Sequence, residues 1–246
     1  MDYLLKVTLV GLISGVVGTS TGGLMAFFVN NISNRFLSLI LEFSAGLMTS
    51  VVCFELIPEA FGLGGITLTF CGIFAGVITI IFLENYISKS KFIKRGYKNS
   101  RLLQTGILTA IGIALHNFPE GFAVGSGFEA STSLGLTLTI VILIHDIPEG
   151  VAMAVPMRAG GFSKTRAFLL TALSGIPMGF GTFIGAVLGG MSQQLISVCL
   201  GFAGGAMLYI VYGELVPQSK RLYTGRLPSV GNVIGILCGI IVTIYN

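Results

Sequence analysis

Charged residues are scarce in this chain. They make up only 10% of its 246 positions, while 53% are hydrophobic. A water-soluble domain carries about 25% charged residues. So little polar surface cannot cover a globule in water, and lipid is the solvent that fits. Cysteine is sparse as well. Cys53, Cys71, Cys199 and Cys238 each lie in an apolar run, and no two form a C-x-x-C pair. They read as small buried residues and not as thiolate metal ligands. A cleavable leader is not indicated. The apolar N-terminal stretch runs past the length of a signal h-region and lacks a small-x-small end, so it reads as a first span.

Apolar segments long enough to cross ~30 Å of hydrocarbon occur eight times. Their approximate limits are 4–29, 36–57, 66–87, 102–125, 134–156, 167–190, 195–217 and 229–245. Only short connections remain between them. Residues 1–246 therefore read as a single all-α polytopic membrane domain of eight transmembrane helices.

The fourteen Lys and Arg residues fix an orientation. All but Lys6 fall in or beside the 1–2, 3–4, 5–6 and 7–8 connections, and the 2–3, 4–5 and 6–7 connections have none. The positive-inside rule places the basic connections in the cytoplasm and both termini outside. An even number of spans independently puts the termini on one side. The 3–4 connection, Ser88–Arg101, holds Lys89, Lys91, Lys94, Arg95 and Lys98. It reads as a topology signal facing anionic lipid, and not as a nucleic-acid site.

Two internal repeats are present. Phe43-Ser-Ala-Gly46-Leu-Met48 … Glu55-Leu56-Ile-Pro58 in span 2 matches Phe202-Ala-Gly-Gly205-Ala-Met207 … Glu214-Leu215-Val-Pro217 in span 7, at one constant offset. Ser14-Gly15 and Ser174-Gly175 add a weaker echo between spans 1 and 6. Similar stretches in oppositely directed spans are the mark of an inverted repeat, here spans 1–3 and 6–8 around spans 4 and 5. The second repeat lies in those central spans. His116-Asn117-Phe118-Pro119-Glu120-Gly121 matches His145-Asp146-Ile147-Pro148-Glu149-Gly150, and these are the only two histidines of the chain.

An ionisable group at the centre of a membrane helix costs ~2.5–3.5 kcal/mol on insertion scales. Spans 4 and 5 hold five of them: His116, Glu120, His145, Asp146 and Glu149. Mutual pairing or a bound cation accounts for such a concentration, and apolar packing does not. Residues i and i+4 share a helix face, so His116 points with Glu120 and His145 with Glu149. Asn117 and Asp146 sit one position round. Two facing helices could give two imidazoles and two carboxylates to one ion, and could bridge to a neighbouring ion through Asn117 and Asp146. Pro119 and Pro148 cannot donate to the carbonyls of Leu115 and Ile144, which predicts kinks beside the histidines. Gly121 and Gly150 permit close helix approach. The donor set is nitrogen and oxygen. It suits Zn²⁺, Fe²⁺ or Mn²⁺ over Cu⁺, and two imidazoles argue against Mg²⁺ and Ca²⁺. A proton relay is the rival reading of the same groups. An intramembrane metalloenzyme is a further one, although no H-E-x-x-H is present.

Other residues have two readings each. Glu55 and Glu214 occupy matched repeat positions, and either line a metal path or are satisfied span-end groups. Met48 is a soft ligand or core filler. Glu42 and Glu84 read as interfacial. Glu59 and Glu129 fall at the outer face, where they could attract cations.

The twin motifs, in the fourth and fifth of eight spans with both termini outside, resemble those of the ZIP (Zrt/Irt-like protein) family, most of all its small prokaryotic branch. The resemblance covers essentially the whole chain. It implies uptake of Zn²⁺, and of Fe²⁺, Mn²⁺ or Cd²⁺, as transported substrate into the cytoplasm across the cell membrane. It implies a 3+2+3 helix arrangement, a homodimer in many members, and a binuclear site. One ion would use His116, Glu120, His145 and Glu149, with Met48 nearby. The second would use Asn117, Glu120, Asp146 and Glu149, and Glu214 would lie on the release path. Two departures stand out. Many relatives carry a glutamate just before the span 6 proline, where this chain has Ile176 before Pro177. That predicts one strong ion position and one weak one. The 3–4 connection also lacks a histidine cluster.

Overall fold

The structure is a computed structural model in which residues 2–28, 33–88, 101–159 and 161–245 are described. Those residues are almost entirely helical and include no strand. In chain order the helices are α1 (Asp2–Phe28), α2 (Asn34–Val51), α3 (Ile57–Ser88), α4 (Arg101–Ala130), α5 (Thr132–Ala159), α6 (Lys164–Ser174), α7 (Ile176–Gly189), α8 (Gln193–Ile210), α9 (Val216–Leu222) and α10 (Leu227–Tyr245). Ser33, Ser163 and Ser192 start α2, α6 and α8, their hydroxyls accepting from the amides of Phe36, Arg166 and Leu195. Each satisfies one of the donors a helix start leaves open. The basic residues Lys89, Lys91, Lys94, Arg95 and Lys98 lie outside the described residues.

Among the described residues, five helical stretches are long and apolar enough to cross a membrane. They are Asp2–Leu24, Asn34–Phe82, Thr132–Val155, Lys164–Gly189 and Gln193–Leu222, with Leu227–Ile241 as a shorter apolar helix. The protein is therefore a multi-pass helical membrane protein. The Asn34–Phe82 stretch has 49 residues, about 70 Å at 1.5 Å per residue and twice a bilayer core. It is broken at Gly65, whose φ of 71° belongs to the left-handed region that favours glycine. The predicted second and third spans fall on either side of that break. α4, outside the five, has 30 residues.

The sixth predicted span is not one helix. Pro177 cannot continue the ladder to Leu173, and the chain turns at Gly175, so α6 ends at Ser174 and α7 begins at Ile176. The second and seventh are also interrupted, by single π-turns at Val52–Leu56 and Val211–Leu215. The Ile57 amide reaches back five residues to Val52, and the Val216 amide to Val211. Pro58 and Pro217 follow directly and have no amide to donate, so the turn before each widens.

Helix pairs are set by glycines facing carbonyls, and the pairs recur. Gly46 of α2 lies against the Asn232 carbonyl of α10, and Gly205 of α8 against the Ile73 carbonyl of α3. Gly235 meets the Phe43 carbonyl, and Gly76 that of Phe202. Ser38 Oγ donates to the Ser219 carbonyl at 2.9 Å, and Ser197 Oγ to the Ala60 carbonyl at 2.8 Å. In each case the second contact is the first carried forward by the offset that relates Phe43–Pro58 to Phe202–Pro217, with the two partners exchanged. A related exchange occurs at the centre, where the glycines are one such offset apart and their partners hold matching places in the twin motifs. Gly22 of α1 meets the Ile147 carbonyl of α5, and Gly181 of α7 meets the Phe118 carbonyl of α4. Contacts advance together along α2 with α10, α3 with α8, α1 with α5 and α4 with α7, so each of these pairs is parallel. α1 and α7 cross in opposite directions, Gly11 beside Thr182 and Gly15 beside Met178. The main core, which includes Leu41, Met48, Leu56, Leu138, Ile142, Leu200 and Met207, fills the space between α2, α5 and α8.

Candidate metal site

α4 and α5 carry the twin motifs and lie side by side. Both run as continuous helix through Pro119 and Pro148. Their approach brings Glu120, His145 and Asp146 together, with one ligand atom from each within 4.8 Å of the others. All three residues are fully buried. His145 Nε2 lies 2.7 Å from Glu120 Oε1 and 3.7 Å from Asp146 Oδ1. Three ionisable groups at this depth are tolerable only with mutual pairing or a cation.

The geometry suits an ion with little movement. Tetrahedral zinc with bonds of about 2.0–2.2 Å needs its ligand atoms roughly 3.3 Å apart. The His145–Glu120 pair must therefore open by only about half an ångström for an ion to enter between them.

The remaining expected ligands are distributed as follows. Glu149 is fully buried, one turn beyond His145, and stands outside the three-residue group. Asp146, expected to serve a different ion from His145, is grouped with it. The side chain of His116 lies outside the described residues. Asn117 is fully buried; its Nδ2 donates to the Ser174 carbonyl at 2.7 Å, and its Oδ1 has no hydrogen-bond partner among the described residues. Met48 is fully buried and lies one turn from Ser44, whose hydroxyl donates to the His145 carbonyl at 3.3 Å. That contact turns the Ser44–Met48 face of α2 toward the α5 motif.

Glu55 and Glu214 both sit on the π-turns, Glu55 half-buried and Glu214 exposed. Oε2 of Glu214 would be 3.3 Å from a Cβ placed on Gly112, which is one turn before His116 on α4. Glu42 has a protein partner. Only 4% exposed, it accepts a hydrogen bond from Asn232 Nδ2 at 3.0 Å in the α2–α10 seam. The Glu84 side chain lies outside the described residues. Glu129, at the end of α4, is partly covered by the chain near Gly189 and Gly190. That burial raises its carboxyl above the usual range, and a hydrogen bond from Tyr3 partly offsets the rise.

Sequence reasoning did not single out Ser44, and it saw Ser174 only as part of a repeat echo. Both act by touching a motif backbone or side chain from another helix, which no local pattern encodes. The one available signal for Ser174 was Pro177, three residues on.

The fold and the cluster define a multi-pass helical membrane protein with buried nitrogen and oxygen groups gathered between two motif helices. The family model described as ZIP zinc transporter matches residues 88–245. A zinc transporter ZupT of Clostridium perfringens is 32% identical over 270 aligned residues, covering 96% of this chain and 94% of that protein. A ZupT of Lysinibacillus sphaericus is 34% identical, with 89% and 90% covered. The zinc transporter ZTP29 of Arabidopsis thaliana is 34% identical, with 97% and 94% covered. The chain belongs to the ZIP family. That family is one of transporters, so the chain is not an enzyme and the metalloenzyme reading falls away.

Proposed function

We propose that the protein carries divalent transition-metal cations, zinc first among them, across the cell membrane into the cytoplasm through a site between α4 and α5. The convergence of Glu120, His145 and Asp146 from two helices carries this reading. The donor set and the zinc-transporting relatives support zinc, and Fe²⁺, Mn²⁺ and Cd²⁺ suit the same donors. In this reading His116, Glu120, His145 and Glu149 hold one ion, with Met48 alongside. Asn117, Asp146 and the shared glutamates hold a second. Glu214, exposed beside α4, serves release, and Glu55 takes the matching place in the other half.

The chain crosses the bilayer eight times, α6–α7 forming one crossing and α8–α9 another. α1–α3 and α6–α10 are inverted halves around α4 and α5. The exchanged helix contacts and the parallel and antiparallel pairings support that arrangement. Both termini lie outside, on the placement of Lys and Arg. The family resemblance extends the proposal to a homodimer.

The test is zinc uptake into proteoliposomes holding a zinc-sensitive dye. Uptake should disappear in Glu120→Ala and in Glu149→Ala. Unchanged uptake in both variants overturns the site, and solute transport that needs no metal would favour a proton-coupled carrier instead.

A further inference from the structure

We propose that Ser174 is a positioning residue for the metal site, holding Asn117 through its backbone carbonyl so that Oδ1 is the atom offered to the second ion. The inference deepens the two-ion reading above and rests on it.

The carbonyl is available because the helix is broken. In a continuous helix the Ser174 carbonyl would accept from the Met178 amide, four residues on. Here the Met178 amide donates to Gly175 instead, at 3.2 Å. Pro177 has no amide to give. The Ser174 carbonyl therefore accepts from Asn117 Nδ2 at 2.7 Å. A planar amide whose nitrogen is fixed has its oxygen fixed as well. Asn117 Oδ1 is buried and has no partner among the described residues. A buried oxygen in that condition is unfavourable unless something occupies it. Its position, three residues before Glu120 on the same helix, makes a cation the fitting occupant.

The break is itself clamped. Gly175 lies against the backbone of Gly15 and Val16 in α1, 2.5 Å from where a Cβ would sit. The Ser174 hydroxyl donates to the Thr171 carbonyl at 2.7 Å and reaches Met153 Sδ at 3.4 Å. Met153 is one turn beyond Glu149 on α5. Ser174 thus touches both motif helices, α4 through its carbonyl and α5 through its hydroxyl.

The same contact explains why the twin motifs differ at this position. An aspartate at 117 would have no hydrogen for the carbonyl and would turn like partial charge toward it. At the twin position, Asp146 faces α1, which is unbroken there and gives way at Gly18. Asparagine belongs where the break in the neighbouring helix supplies a free acceptor.

Asn117→Asp tests this directly. A symmetric motif with an added carboxylate should bind the second ion more tightly if Asn117 acts merely as a ligand. On the present proposal it binds more weakly. Zn²⁺ is titrated into the purified full-length protein in detergent against a fluorescent chelator. Wild type should show one tight and one weaker event. Asn117→Asp should weaken the weaker event by about tenfold or more and change the tight event by less than about threefold. Retention of the tight event reports an intact fold, which a purely structural lesion would not leave. A weaker event that Asn117→Asp preserves or strengthens overturns the proposal alone. A wild type with no second event overturns the two-ion reading, and the proposal with it. If the variant does not fold, a structure of the zinc-soaked wild type decides. Nδ2 on the Ser174 carbonyl with Oδ1 on the ion supports the proposal, and an amide turned away from Ser174 overturns it.

Discussion

Nε2 of His145 and Oε1 of Glu120 lie 2.7 Å apart, although the residues are 25 positions apart in the chain and sit on different helices. Each comes from the same kind of motif, and neither motif closes on itself in this contact. The contact is formed across the α4–α5 seam. Anything that changes the spacing of that seam should therefore change metal binding before it changes the fold.

Glu120→Gln keeps the size and a hydrogen-bonding oxygen but removes the charge. Zinc affinity should fall at least tenfold, the scale of a charge-assisted bond of about 1.5–3 kcal/mol. The elution profile in detergent should remain that of wild type. Chelator competition reads the first quantity and size-exclusion chromatography the second.

Acid should weaken binding. His145 must be neutral and the carboxylates ionised to ligate, so each ion bound displaces protons. The apparent Kd should rise as pH falls, by up to about tenfold per pH unit for each proton displaced. Titrations between pH 7.5 and 5.5 check this, and a Kd independent of pH would argue that these groups are not ligands.

Gly121→Ala should destabilise strongly. The glycine lies directly against the Met178 carbonyl of α7, and backbone cannot step aside for a methyl group. A loss of about 1–3 kcal/mol follows from overpacking. Gly62→Ala is the control, because nothing lies within 4 Å of a Cβ there. It should be neutral or slightly stabilising. Thermal stability in detergent separates the two.

Asn232→Leu removes the donor to buried Glu42 and should cost about 1–3 kcal/mol. Glu42→Leu combined with Asn232→Leu should recover much of that loss, because no buried carboxylate is then left without a partner. Melting temperatures of the two single variants and the double variant give the coupling.

Glu214→Ala should slow uptake severalfold with little change in Kd. Its exposed side chain, on the second π-turn, lies beside Gly112, one turn before the α4 motif. Uptake rate at saturating zinc and equilibrium Kd, measured on the same preparation, distinguish a path residue from a ligand.

Much of this architecture is written locally. Low charge and long apolar runs specify helices in lipid, because unsatisfied backbone groups have no water there to bond with. Helix limits near those expected follow from serine caps and from Gly65, all of which act within one turn. The twin motifs marked the residues that gather, because imidazole and carboxylate at i and i+4 share a face in any helix. The repeated contacts of Gly46 and Gly205 fall on the offset legible at Phe43–Pro58 and Phe202–Pro217.

What only the tertiary structure decided is which groups meet across helices. Asp146 stands with His145 and Glu120, because helix rotation and seam spacing depend on glycines such as Gly18, Gly121 and Gly150 and the backbones they face. Glu42 gave no sign of its partner in the sequence, and Asn232, far along the chain, holds it in a buried seam. Ser174 gained its role from a carbonyl, which every residue has. Hydrogen bonds from a side chain to a distant carbonyl leave no pattern in the sequence; they exist only once α4 and α7 are packed.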